Sequence, residues 1–124
     1  FLIILWLTLI PHPLPADTPE LFPGADKVVH ALMFGGLVLT LVIDRELWCQ
    51  RSYEDKGRLP RRCRYEPWGF ALIAIVIGGA IELLQGWMGL GRGCDVYDFV
   101  ADIAGALIFA LLAPRIAMLL LTPP

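Results

Sequence analysis

The stretch Phe70-Ala71-Leu72-Ile73-Ala74-Ile75-Val76-Ile77-Gly78-Gly79-Ala80-Ile81 holds no polar side chain. A helix of this length on a soluble domain shows a polar face, so this one belongs in hydrocarbon. It lies inside an apolar run from Trp68 to Met88, close to the roughly 20 residues that a spanning helix needs. Three further runs read the same way: Phe1 to Ile10, Val28 to Ile43, and Phe99 to Ala113, the last followed by Ile116 to Leu121 beyond Pro114. The chain as a whole agrees, with 57% hydrophobic and 18% charged residues among 124 and a mean hydropathy of +0.67, too apolar for an ordinary soluble domain. The expected fold class is all-α: a polytopic membrane helical bundle of about four transmembrane helices, forming a single domain over residues 1–124.

Breakers mark the connections. Pro11, Pro13, Pro15, Pro19 and Pro23 separate the first two runs, and Gly89, Gly91 and Gly93 separate the last two. The first run opens on Phe1 and has no charged leader, which reads as a truncated membrane helix in preference to a signal peptide, although Pro15-Ala16 resembles a weak cleavage site. No internal repeat is visible, so repeat architectures and inverted-repeat transporters gain no support. Cys49, Cys63 and Cys94 lie far apart without a C-x-x-C pair, and are expected to be unpaired thiols.

The net charge of -2 hides a segregation. Seven of the ten basic residues, Arg45, Arg51, Lys56, Arg58, Arg61, Arg62 and Arg64, fall in the connection 44–67, which the positive-inside rule makes cytoplasmic. Glu46, Glu54, Asp55 and Glu66 dilute that loop, so it reads as a topology signal beside anionic lipid and not as a nucleic-acid surface. The other two connections carry only Lys27 and Arg92 against Asp17, Glu20, Asp26, Asp95 and Asp98, as suits an outer surface. The chain is therefore expected to be a multi-pass protein of the cell membrane with both termini cytoplasmic. Trp68 and Trp87 fit the two membrane interfaces.

This topology gathers polar residues at the extracytoplasmic face. Asp26 and His30 stand at i, i+4; Glu82 and Gln85 at i, i+3; Asp95, Asp98 and Asp102 at i, i+3, i+7, so each helix offers one polar stripe. At a rise of about 1.5 Å per residue, His30 and Asp102 lie roughly 6 Å below Asp26 and Asp98, and Glu82 roughly 9 Å below Met88. Ala71, Ala74 and Gly78 continue one stripe inward, and Gly105 and Ala106 the other, which turns both toward the bundle interior. A carboxylate facing lipid costs about 2.5 to 3.5 kcal/mol, so Glu82 and Asp102 require a partner, water or a proton. Lys27, His30 and Arg92 are the bases within reach.

The segments Asp26-Lys27-x-x-His30, Glu82-x-x-Gln85, and Arg92-x-x-Asp95-x-x-Asp98-x-x-x-Asp102-x-x-Gly105 resemble, in this order and over roughly Asp26 to Ala113, the pattern of the VanZ-like family. One residue departs from it, since Asn usually stands where this chain has Asp102. The resemblance implies the membrane-bundle fold, a place in the cell envelope, and a link to teicoplanin-type antibiotic resistance, from which the family takes its name. It supplies no mechanism.

Three readings of the cluster compete. As an enzyme, Glu82 or Asp98 would act as general base with His30, while Lys27, Gln85, Arg92, Asp95 and Asp26 hold a lipid-linked phosphate or pyrophosphate of the cell envelope, a divalent cation on Asp95, Asp98 and Asp102 bridging to it. As a binding protein, it would hold such a precursor, or a glycopeptide-type amphiphile, without chemistry. As a structural network, it would only fix helix packing, although five carboxylates against the two cations Lys27 and Arg92 are more negative charge than packing alone would gather. A small transporter ranks below these, because nothing polar crosses the cytoplasmic half of the Trp68–Met88 helix. The Asp95-x-x-Asp98-x-x-x-Asp102 spacing matches only the tail of the CDP-alcohol phosphotransferase motif, and the Ser-Gly-His signature of lipid phosphatases is absent.

Overall fold

The computed structural model describes residues 23–57, 63, 66–88 and 95–121. They form three helices: α1 (Ala25–Lys56), α2 (Pro67–Met88) and α3 (Val96–Leu121). All three are long and apolar enough to cross a membrane. The helix expected over Phe1 to Ile10 lies outside the described residues, as do Arg92 and Cys94.

Helix α1 begins after Gly24 (φ 85°) and stops at Gly57 (φ 63°), whose N–H donates to the Tyr53 carbonyl at 2.8 Å. Both glycines take the left-handed conformation that a side chain would disfavour. The helix therefore runs thirteen residues past the expected end at Ile43, through half of the segment read as loop 44–67. Residues such as Glu46, Leu47, Gln50, Arg51 and Lys56 are good helix formers, and nothing breaks the backbone pattern before Gly57. At 32 residues α1 is about 48 Å long, beyond a hydrocarbon core of about 30 Å, so its polar end projects from the bilayer. There Arg45 pairs with Glu46 and stacks over the Phe70 ring, 5.9 Å from its centroid.

Cys49 and Cys63 are joined in a disulfide, with Cα atoms 5.9 Å apart and a sequence separation of 14. This overturns the expectation of unpaired thiols for these two. The expectation failed because Cys49 falls inside α1, which continues to Lys56, and Cys63 lies against that helix. The spacing alone carries no such signal.

Pro114 sits within α3 without ending it. Its ring removes the N–H that would bond the Ala110 carbonyl, a loss that membrane helices tolerate when packed against neighbours.

The core is a stack of Phe34, Val38 and Val42 at i, i+4, i+8 on α1, set against Ala71, Ala74 and Ile81 of α2 and Ala106, Ala110, Ala113 and Ala117 of α3. Helices in lipid gain little from burying apolar groups against each other, so close backbone approach supplies the association. Leu72, Val76, Leu83, Ile108, Leu111 and Leu119 point outward, as lipid-facing residues do. The most extensive helix pairing is α1 with α3. It is tightest at Gly105, where a Cβ would overlap the Ala31 carbonyl of α1. Gly105→Ala should push the two helices apart and cost about 1 to 3 kcal/mol, read as a lower melting temperature in detergent. Gly36→Ala is the contrast: a Cβ there meets nothing within 4 Å, so the change should be neutral or stabilise by up to about 1 kcal/mol.

Candidate functional site

The start of α1, the end of α2 and the start of α3 share one end of the bundle, and Asp95 joins two of them. Its Oδ1 accepts from the Tyr97 N–H at 2.8 Å and its carbonyl from the N–H groups of Asp98 and Phe99, which caps α3. Its own N–H donates to Glu82 Oε2 at 3.1 Å and so fixes the Glu82 carboxylate of α2.

Lys27, in the first turn of α1, reaches across to α3. Its Nζ donates to Asp26 Oδ2 at 2.8 Å, Asp98 Oδ1 at 3.1 Å and Asp95 Oδ2 at 3.5 Å. One ammonium thus serves three carboxylates. Deeper by a turn, His30 Nδ1 lies 2.9 Å from Asp102 Oδ1. With Asp102 ionised the hydrogen of this contact lies on Nδ1, because a carboxylate only accepts, and Nε2 then stands 3.9 Å from Asp98 Oδ2. Gly78 makes room for this pair, since a Cβ there would stand 2.9 Å from Asp102 Oδ2.

The site has two layers. The outer one holds Asp26, Lys27, Asp95 and Asp98 and is partly exposed. The inner one is buried: His30 is 5% exposed, Glu82 3%, Gln85 6% and Asp102 1%. Within it Glu82 Oε1 is buried and has no hydrogen-bond partner among the described residues. An unpartnered carboxylate oxygen away from water carries a large desolvation cost.

Of the residues expected from sequence, Asp26, Lys27, His30, Glu82, Asp95, Asp98 and Asp102 meet at this end, and Gln85 is buried on the Glu82 side of α2. Arg92 lies outside the described residues. The expected cation set of Asp95, Asp98 and Asp102 is not what the folded chain gathers, because Asp95 caps α3 and Asp98 faces Lys27. Among the described residues, the three side chains whose ligand atoms come within 4.8 Å of one another are His30, Glu82 and Asp102. Glu82 was foreseen as a base, and its place beside the histidine depends on the rotation of α2, which sequence does not report.

A family model described as VanZ/LLP1 matches residues 1–120, nearly the whole chain and all three described helices. The chain belongs to the VanZ/LLP1 family. No curated protein and no solved structure matches it significantly. The match and the three apolar helices together make this VanZ/LLP1 chain a membrane protein.

Two open clefts lie at the other end of this VanZ/LLP1 bundle, one lined by Arg45, Cys63, Glu66 and Trp68, the other by Glu46, Gln50 and Met118, with Pro114 shared between them. Neither reaches the acidic cluster. The Lys27 contacts predict a clear electrostatic signature. Lys27→Met leaves Asp26, Asp95 and Asp98 facing one another without an ammonium, so the variant should melt below the wild type at low salt. The gap should narrow at about 1 M salt, where the screening length falls to about 3 Å.

Proposed function

We propose that this protein binds the charged head of an amphiphile of the cell envelope, a lipid-linked phosphate or pyrophosphate or a glycopeptide-type antibiotic, at the polar end of its bundle. One observation carries the reading: a buried, incompletely satisfied polar cluster opens directly onto apolar helix surface. Leu83, Trp87, Val96 and Tyr97 are all well exposed on the turns that carry Glu82, Gln85, Asp95 and Asp98. Such a boundary suits a ligand with a charged head and a hydrophobic body. Lys27, and Arg92 beyond it in sequence, are the cations for an anionic head.

A catalytic reading has one specific support, the His30–Asp102 pair, in which a carboxylate fixes the imidazole tautomer and leaves Nε2 as a base. Binding and catalysis then differ in what Asp102→Asn removes. A base oriented by Asp102 loses turnover while affinity stays, whereas a binding site loses affinity alone.

The ligand test is the melting shift of the purified protein in detergent with lipid-linked pyrophosphate precursors, with and without Mg²⁺. At about 100 times its Kd a ligand stabilises by about 2.7 kcal/mol. The expected result is a shift that Lys27→Ala and Arg92→Ala reduce; equal shifts in wild type and both variants would remove the site from this cluster.

The proposed orientation puts the site at the extracytoplasmic face, on the strength of the basic residues between α1 and α2. The Cys49–Cys63 disulfide in that segment pulls the other way, since disulfides persist mainly in oxidising compartments. Charge governs the reading because it acts while the helices insert, before a thiol pair can close. In a Cys94→Ser background, intact cells treated with reductant and an impermeant maleimide should leave Cys49 and Cys63 unlabelled. Labelling from outside would invert the orientation.

A further inference from the structure

We propose that His30, Glu82 and Asp102 hold a divalent transition cation of the Zn²⁺ or Mn²⁺ class. One imidazole nitrogen and two carboxylates is a donor set that such ions accept, whereas Mg²⁺ and Ca²⁺ favour all-oxygen surroundings. The three ligand atoms lie within 4.8 Å of one another and all three side chains are buried.

The observation that points to an ion is Glu82. Its Oε2 is already held by the Asp95 N–H, which fixes the carboxylate plane, while Oε1 is left buried with no partner among the described residues. A ligating carboxylate is commonly oriented in this way, one oxygen steadied by a hydrogen bond and the other free for the metal. A packing network would leave no reason for the orphan oxygen, because removing it would relieve a desolvation cost.

The spacing of the other two donors also fits. Ligands bonded at about 2.0 to 2.2 Å stand about 3 Å apart at the right angles of an octahedral site and about 3.4 Å apart at tetrahedral angles. The His30 Nδ1 to Asp102 Oδ1 distance is 2.9 Å, so an ion can replace the shared hydrogen with little movement of either side chain. Two carboxylates and a dication sum to neutrality, which suits a buried site far better than two bare carboxylates. With three protein donors, coordination positions remain for water or for an oxygen of a ligand.

The functional meaning of this ion rests on the amphiphile-binding reading, in which it would draw an anionic head toward an otherwise acidic site. The binding itself needs no ligand and is tested without one. Apo protein in detergent, stripped with chelator, is titrated with Co²⁺ and Mn²⁺, following the Co²⁺ visible absorption, the loss of free Mn²⁺ resonance, and the melting temperature. The expected result is one ion per chain and a raised melting temperature, with affinity at least about 10-fold weaker in Glu82→Gln and Asp102→Asn. Glu54→Gln, at the far polar end of α1, should bind as the wild type does. If either site variant fails to fold, the wild-type absorption still decides, since a nitrogen-bearing low-symmetry site gives a Co²⁺ spectrum that surface carboxylates do not. No stoichiometric binding by the wild type, or binding unchanged in Glu82→Gln, would overturn the proposal, and would do so whether or not a lipid ligand binds.

Discussion

Gly105 lets the α3 backbone lie against the Ala31 carbonyl of α1, and the polar end of the bundle depends on that approach. His30 precedes Ala31, and Asp102 stands three residues before Gly105, so the closest backbone contact fixes the distance between the imidazole and the carboxylate. Their 2.9 Å contact has no slack. A methyl group at 105 would overlap the Ala31 carbonyl and push the two helices apart, and the His30–Asp102 contact with them. Gly78 does the same service from α2 by leaving room for the Asp102 carboxylate. Small residues in these helices thus serve two purposes at once: dispersion contact where lipid offers no hydrophobic drive, and the placement of ionisable groups at hydrogen-bond range.

The charges themselves follow a gradient of depth. Lys27 neutralises the outer carboxylates from a position that is still half in water, where ion pairs are inexpensive to form and weak. Below it, His30 is the one basic side chain beside Glu82 and Asp102 among the described residues, and the Asp95 N–H is a neutral donor to Glu82. Lys27 cannot serve both layers, because its contacts to Asp26, Asp95 and Asp98 hold it at the mouth. The inner layer is therefore where the bundle carries charge that its own described side chains do not balance, and where an added cation or proton has the most to stabilise.

Much of this was legible in the sequence, and the reason is periodicity. Ala71, Ala74, Gly78 and Glu82 on one helix, and Asp102, Gly105, Ala106 and Ala110 on another, recur at three and four residues, so their burial on one face follows from helix geometry alone. The shared end of the bundle followed from alternation of helix direction. What stayed hidden depends on chain paths and rotations. Whether α1 stops at Ile43 or runs to Lys56 is decided by the first glycine after Ile43, Gly57, which takes a positive φ, and no apolar pattern marks it. The Cys49–Cys63 pair depends on Cys63 lying against α1, which no spacing in the sequence marks. Asp98 and Asp102 occupy the same helical face, and only the reach of Lys27 from α1 separates the one it engages from the one left to His30.

Asp102 is the most buried acid of the cluster. An asparagine there would still accept a hydrogen bond from His30 through its amide oxygen, so the helix packing does not require an acid. Stability argues against one: at 1% exposure the carboxylate loses nearly all of its hydration, and its neighbours Glu82 and Asp98 are acids too. A residue that packing does not need and that burial disfavours is best explained by what it binds. Together with Glu82, this carboxylate gives His30 a donor set whose charge neutralises a dication, with one side chain from each of α1, α2 and α3.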